Sequence, residues 1–513
     1  MTSLSKPAHR TAVLASVSLL FAALLTAPST PAATTKKRAP ARSAAPTISL
    51  PPASTPLEAA IGAQVRLAAR VAPELGVSVM DLTDGSAVFE FNPATPRILA
   101  SNTKILTTAA ALDRLGPEYF FETWLFGRGA LEGDTLRGDL AVIGGGDPNI
   151  SERQSGDPFA VFRTWAAELK NRGITVVEGD LYLVHGFFED ETIHPDWPRD
   201  QLVRWYEAPV AALSFNDNCL QVRVWPSRTG RARVDFLPRI ELPGLRNFAS
   251  VTPSSKRQQL IITREPDSWE IETRGQIWSG SGPADFWITV PDPVSYFGAA
   301  LRSALADEGI VIRGSLVPVR RLPGEISEAT PWQRFAVHRS DLLTTVEVIN
   351  KYSQNFYAES LLKTLGAELC ARGTWDGGLE VVSQFLEGVG LAPGSYEMSD
   401  GSGMSRNNRF TPTQMVRVLQ AMYHHRWGSE FIGTLPYSGE PELSWRRRLA
   451  DGKYRGNVFA KTGTLNGVST LSGYARATSG KVYAFSILCN QARSTDAARR
   501  AQDQIVRALI DPG

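Results

Sequence analysis

The sequence predicts an α+β protein: an antiparallel sheet covered by helices and assembled from both ends of the chain, with a large β-rich insertion between them. Three observations carry this. "GVSVMDLTDGSAVFEFNP", from Gly76, reads as two strands joined by Asp84-Gly85, a strong hairpin signal. "STLSGYARATSGKVYAFSILCN", from Ser469, reads as a second hairpin near the opposite end. Between them, residues 117–335 are dominated by short alternating strands and turns. The two hairpins are candidates for one sheet, which the middle block interrupts.

The elements follow in order. Lys6, His9 and Arg10 precede an apolar run from Ala12 to Ala27, and small residues follow. This is the layout of a secretory signal peptide, over 1–33. The run is short of the roughly 20 apolar residues a membrane span needs; an uncleaved anchor is the alternative. No Cys stands just after the run, which argues against a lipid-attached start. The mature chain is therefore expected in the periplasm or another extracytoplasmic space. Residues 34–56, rich in Pro, Ala, Ser, Thr and Lys, read as a flexible linker. The main domain is expected in two parts, 57–116 and 336–513, flanking the inserted region 117–335.

Within the first part, "ASNTKILTTAAALDRLG" reads as a helix opening at Ser101 and stopped by Gly116 and Pro117. The insertion shows no fixed-period repeat and reads as one or two small β-rich modules. Its strands include "CLQVRVW", "QLIITR", "WEIET" and "FWITVP". After it, "SDLLTTVEVIN" and "NFYAESLLKTLGAEL" read as two helices broken at "KYSQ". "GNVFAKTGTLNG" reads as a strand. The last helix is capped by Ser494 or Thr495 and turns Ala498, Ala501, Ile505 and Leu509 inward.

Composition excludes several classes. The 513 residues are 43% hydrophobic and 21% charged, ordinary for a globular protein. A formal net charge of +2, with scattered basic residues, gives no field for nucleic acid. Cys219, Cys370 and Cys489 form no C-x-x-C pair, and the histidines no H-E-x-x-H, so neither structural zinc nor a zinc peptidase is supported. One disulfide and one odd thiol are compatible with export, and the pairing is left open. Cys489 ends an apolar strand and reads as core.

Chemistry gathers at three places. In a helix, residues three apart lie about 60° around the axis and about 4.5 Å along it. Ser101 and Lys104 thus project to one side. A serine hydroxyl needs a base within reach to become a nucleophile. A lysine serves if burial and nearby positive charge lower its pKa. Alone, the pair reads as a cap and a surface charge, and S-x-x-K also occurs at Ser3–Lys6. S-x-N occurs at Ser214, Ser353 and Ser405. Order and placement single out Ser353–Asn355, in the break between two helices, and Lys461–Thr462–Gly463, on a strand and followed by Thr464.

Taken with "LGPEYFFET", "LRGDLAVIGGGDPNI", "APVAALSFNDN", "DGSGMSRNNRFTP" and "AKTGTLNGV", these motifs resemble the D-alanyl-D-alanine carboxypeptidase/endopeptidase family, the class C low-molecular-mass penicillin-binding proteins (peptidase family S13). The resemblance covers roughly residues 57 to 510. Gln354 departs from the Asp usual at that position in β-lactamases, and β-lactamases leave only a few dozen residues between the first two motifs. It implies a β-lactamase/DD-peptidase-like fold with Ser101 as acylated nucleophile, Lys104 as its base, and Ser353 as relay to the leaving amine. Asn355 would hold Lys104 and the substrate amide, and Lys461 and Thr462 would meet the terminal carboxylate. The backbone N–H groups of Ser101 and Thr464 would form an oxyanion hole beside Gly463. Arg406 would meet a second charged group on the stem peptide, or serve as a structural ion-pair partner. Peptidoglycan stem peptides are the implied substrates and β-lactams the implied inhibitors; no metal or cofactor is implied. Trp197 and Trp205 read as packing, Asp400 as shaping its Gly-rich loop, and "GGGDPN" as a tight structural loop. The rival readings are a β-lactam-hydrolysing enzyme and a weakly catalytic cell-wall binding or sensor protein.

Overall fold

The structure, a computed structural model, describes residue 50 and residues 52–323 and 331–512. The expected signal segment and most of the 34–56 linker lie outside them. The two hairpins meet as expected. Strands β1 (Glu74–Asp81) and β2 (Ala87–Phe91) join β3 (Val458–Leu465), β4 (Val468–Arg476) and β5 (Val482–Asn490) in one sheet, order β3-β4-β5-β1-β2. Every neighbouring pair is antiparallel, and Val77 faces Ile487 where the two ends of the chain join. Gly85 takes φ +75° in the first turn, which a residue with a side chain adopts only under strain.

Both faces of this sheet are buried, because side chains alternate along a strand. Phe485, Ile487 and Cys489 pack on Ile61, Val65, Ile505 and Leu509 of helices Pro56–Val71 and Thr495–Ile510. Ala484 and Leu488 join Met415 and Leu419 of helix Pro412–His424 in the opposite layer. The helix Pro56–Val71 was not expected from sequence, although Thr55-Pro56-Leu57-Glu58 carries a start signal: Thr55 Oγ1 accepts from the Glu58 amide at 3.1 Å. Ser494, not Thr495, caps the last helix, and Ala501 is only half-buried.

The chain leaves and returns through adjacent strands: Phe120–Glu132 pairs antiparallel with Gln333–Asp341. Asp341 then caps the helix Leu342–Tyr352 by accepting from the Thr344 amide at 2.7 Å. Between these strands lies a second core around Phe162, Trp165, Phe215, Tyr296 and Phe297. "GGGDPN" is a locked turn there. A Cβ on Gly144 would stand 2.4 Å from the Ala212 carbonyl, and Asn149 Nδ2 donates to Ser340 and Thr345 hydroxyls. All three cysteines are free, and Cys219 and Cys489 are buried.

Ile487 is wholly buried at the centre of the sheet. Ile487→Ala should destabilise the protein by about 2–5 kcal/mol, through lost transfer energy and an unfilled cavity, read as a lower midpoint of chemical unfolding.

Candidate active site

Ser101 lies in a short 3₁₀ turn, Ala100–Asn102, and the α-helix proper runs Thr103–Arg114. The helix therefore begins two residues later than expected. Ala100 has φ +47°, and this left-handed residue swings the chain so that Ser101 meets the sheet edge. Gly403 packs so tightly here that a Cβ would stand 1.9 Å from the Ala100 carbonyl oxygen. Lys104, one turn on, is fully buried. Its Nζ reaches Ser101 Oγ at 3.2 Å, Asn355 Oδ1 at 2.6 Å and the Ser402 carbonyl at 2.6 Å.

Those partners fix what a neutral Lys104 would do. Two of them accept only, so its two N–H groups go to Asn355 and Ser402. The lone pair is left for the Ser101 hydroxyl. Asn355 cannot turn round, because its Nδ2 donates to the Tyr206 carbonyl of the inserted region at 2.8 Å. Burial lowers the Lys104 pKa to about 7, against the pull of the Glu359 and Asp400 carboxylates.

The break between helices Leu342–Tyr352 and Asn355–Cys370 carries the second motif, as expected. Ser353 takes φ +58°, a second left-handed residue without glycine. Its Oγ accepts from Lys461 Nζ at 2.8 Å. Gln354 points back into the insertion and donates to Asp217 Oδ2 at 3.2 Å. Asp217 also pairs with Arg153 at 2.7 Å. An Asp at position 354 would set two carboxylates face to face, which accounts for the Gln.

Strand β3 supplies the third motif. Asn102 Nδ2 donates to the Lys461 carbonyl at 2.7 Å and pins the nucleophile turn to this strand. A Cβ on Gly463 would stand 2.2 Å from Thr470 Oγ1 and 2.9 Å from Ser101 N, so only glycine lets the strand pass the nucleophile. Lys461 is buried, and its pKa is pushed down by burial and by the charge of Lys104. Its Nζ is engaged by Ser353 and by the Thr462 carbonyl at 3.0 Å. Thr462 is half-buried and Thr464 exposed, with Thr464 Oγ1 accepting from Arg499 at 3.2 Å. Arg406 is exposed at the rim and donates to the Asn466 carbonyl at 3.1 Å.

Ser101, Lys104 and Asn355 thus form one hydrogen-bonded group and Ser353 and Lys461 a second, close enough that the charge of Lys104 acts on Lys461, with Gly463 against the Ser101 turn and Arg406 exposed at the rim. Asp400 shapes its loop as expected, accepting from the Gly403 and Ser405 amides at 2.7 and 2.6 Å. Trp197 is packing as expected, 6.1 Å from Trp375 between ring centroids. The sequence reading missed Ser402, Tyr206 and Asn102. The first two act through backbone carbonyls, which no side-chain motif reveals. It also missed Glu359, whose signal was legible: a carboxylate one turn from Asn355, on the helix that opens with the second motif.

A serine hydroxyl within hydrogen-bond reach of a buried lysine, beside a second buried lysine on the sheet edge, is the arrangement of an active-site serine hydrolase. The D-Ala-D-Ala carboxypeptidase 3 (S13) family model matches residues 60–511, and the chain belongs to that family. It is a serine-type D-Ala-D-Ala carboxypeptidase. It is 31% identical to a D-alanyl-D-alanine carboxypeptidase of Actinomadura sp. (strain R39), over 85% of this chain and 81% of that one. It is 25% identical to D-alanyl-D-alanine carboxypeptidase DacB of Haemophilus influenzae, over 80% and 84%. The fold matches the crystal structure of penicillin binding protein 4 of H. influenzae with a TM-score of 0.74, at 24% identity, over 87% of this chain and 98% of that one.

Gly463→Ala should leave a folded protein whose acylation by a fluorescent penicillin is about 10²-fold slower, since a shift of about 1 Å at the nucleophile costs that much. Stopped-flow or gel-based labelling rates check it.

Proposed function

We propose that this chain is an exported DD-peptidase that acts through an acyl-enzyme on Ser101, removes the terminal D-alanine from peptidoglycan stem peptides, and cleaves D-alanyl cross-links. The observation that carries the reading is the place of Lys104 Nζ, 3.2 Å from Ser101 Oγ with acceptors as its two other partners, which in the neutral amine leaves the lone pair for Ser101. Ser101 Oγ attacks the carbonyl carbon of the penultimate D-alanine, and its proton passes to Lys104. Negative charge on the former carbonyl oxygen meets the N–H groups of Ser101 and Thr464. One such donor is worth about 10²–10³ in rate.

Ser353 passes its hydroxyl proton to the departing amine and is made good by the proton that Lys104 took from Ser101, so that both residues return to their starting state. Because Lys461 Nζ donates to Ser353 Oγ, the Ser353 hydroxyl hydrogen is left to point elsewhere. Lys461 and Thr462 supply positive potential and a hydroxyl for the substrate's terminal carboxylate, and Arg406 meets charge further along the stem. Water then hydrolyses the ester and frees Ser101. β-Lactams enter by the same attack, their ring amide standing in for the D-Ala–D-Ala bond; the H. influenzae penicillin binding protein has been solved with a β-lactam bound. The substrate lies outside the cytoplasmic membrane, where the 1–33 signal would deliver the chain.

Incubation with stem pentapeptide and with cross-linked dimer, followed by mass spectrometry, should release D-alanine from the first and monomers from the second. Ser101→Ala should abolish both and all penicillin labelling; an adduct surviving on that variant would overturn the reading. The pH dependence follows from the base. Lys104 accepts a proton only when neutral, so the acylation constant should rise with pH through an acid limb near 7 and level off above it. Lys104→Met should remove the limb together with at least about 10²-fold of the rate.

A further inference from the structure

Glu359 is a carboxylate with no exposed surface, on helix Asn355–Cys370, one turn after Asn355. Three N–H groups converge on it. The Gly401 amide donates to Oε2 at 3.0 Å, the Ser402 amide to Oε1 at 2.7 Å, and Trp375 Nε1 to Oε2 at 2.9 Å. Ser402 is thereby held on both sides of its Cα: its N–H, in the Gly401–Ser402 peptide, on Glu359, and its carbonyl, in the Ser402–Gly403 peptide, on Lys104 Nζ at 2.6 Å. The same loop holds a second time, where Thr107 Oγ1 on the nucleophile helix donates to the Gly401 carbonyl at 2.8 Å.

Resting on the Ser101–Lys104 reading above, we propose that Glu359 is a positioning residue for the reaction: through the Gly401–Ser402 backbone it holds the Ser402 carbonyl on Lys104, and so turns the Lys104 lone pair towards Ser101. The carboxylate is needed for this, not only its shape. An amide at this position has one acceptor oxygen, and its NH₂ would confront an N–H that now has an acceptor. Released from that acceptor, the Gly401–Ser402 peptide keeps only the Thr107 contact at its carbonyl, while Asp400 still holds the next peptide through the Gly403 amide; Ser402 then shifts between them, and its carbonyl is no longer fixed on Lys104.

The charges around the pair are accounted for. Lys104 faces the carboxylates of Glu359 and Asp400 and the amine of Lys461. Glu359 faces Asp400 from the loop, Lys104 from the nucleophile helix and Lys363 from its own helix. Lys363 in turn is held by Glu189 at 3.4 Å and the Glu191 carbonyl at 2.6 Å, and sits 3.7 Å over the Trp375 ring. Burial and Asp400 push the Glu359 carboxyl upward, while its N–H donors oppose that. Above neutrality it is the carboxylate, and its charge raises the affinity of Lys104 for a proton.

The test is the pH profile of penicillin acylation on Glu359→Gln and Glu359→Asp, beside the unaltered protein. Glu359→Gln removes charge and clamp together. Its plateau constant should fall about 10-fold or more, and its acid limb should move to lower pH by at least about half a unit, because Lys104 loses an attracting carboxylate. Glu359→Asp keeps the charge on a shorter arm, so its plateau should fall while its limb stays in place. A merely structural residue would lower the amount of labelled protein without moving the limb. Glu359→Gln acylating at the unaltered rate, or losing labelled protein alone, overturns the proposal. If Glu359→Gln does not fold, as judged by circular dichroism, Glu359→Asp decides: an undiminished plateau or a displaced limb overturns it. Labelling that persists on Ser101→Ala condemns instead the nucleophile assignment underneath, so the two failures are distinct.

Discussion

Everything at this site depends on keeping an amine out of water. Lys104 has no exposed surface, and an ammonium taken from water into a protein interior loses several kcal/mol of hydration unless partners replace it. Here the partners are a side-chain oxygen, a backbone carbonyl and a hydroxyl, all uncharged. The nearest formal counter-charges act through space, with none in hydrogen-bond contact with Nζ. That arrangement holds the proton weakly. A carboxylate placed directly on Nζ would complete a buried ion pair and fix the proton on lysine, which would bar the proposed role of Lys104 as a base. Glu359 stands off from Nζ, reaching it only across Ser402, whose N–H it accepts and whose carbonyl Lys104 binds, a separation that suits the proposed base.

Two backbone residues bear strain for the same end. Ala100 and Ser353 both sit at positive φ with side chains attached, a conformation that costs about 1–3 kcal/mol each. They flank the cluster from opposite elements. What holds Ala100 is its burial against Gly403 and the sheet, where Thr470 Oγ1 donates to the Leu99 carbonyl at 2.8 Å and Asn102 is tied to both Lys461 and Ser472. The sheet is rigid there because both of its faces are packed. A loop alone could not keep the serine in that position.

The sheet was legible in the sequence because each hairpin carries its own turn chemistry, and a strand buried on both faces must be apolar at nearly every position, as β5 is. Ser101, Lys104, Ser353, Asn355 and Lys461 were legible as types and spacings. Their meeting was not, since Lys104 and Asn355 lie 251 residues apart and no periodicity spans that gap. The helix Pro56–Val71 was missed beside a proline-rich stretch, even with a capping threonine in place. Glu359 was passed over because a glutamate in a helix that also carries Lys363 and Glu368 reads as a helix-former; only its depth makes it unusual. Carbonyls of Ser402 and Tyr206 leave no mark in sequence at all, because every residue has one.

Tyr206 and Asp217 show what the insertion does to the motif it interrupts. Asn355 can be an acceptor for Lys104 only because its amide nitrogen already has a carbonyl to bind, and that carbonyl belongs to the inserted region. Gln354 is neutral where β-lactamases use an acid, and the reason lies in the same region: Asp217 occupies the space an acid would face, with Arg153 and Ser151 already committed to it. The left-handed run Asn216–Asn218 is what presents Asp217 there. The middle residue of the second motif is thus set by its contact with the insertion. A domain that merely rode on the fold would leave that position unconstrained, and it would not hold the amide that holds Lys104.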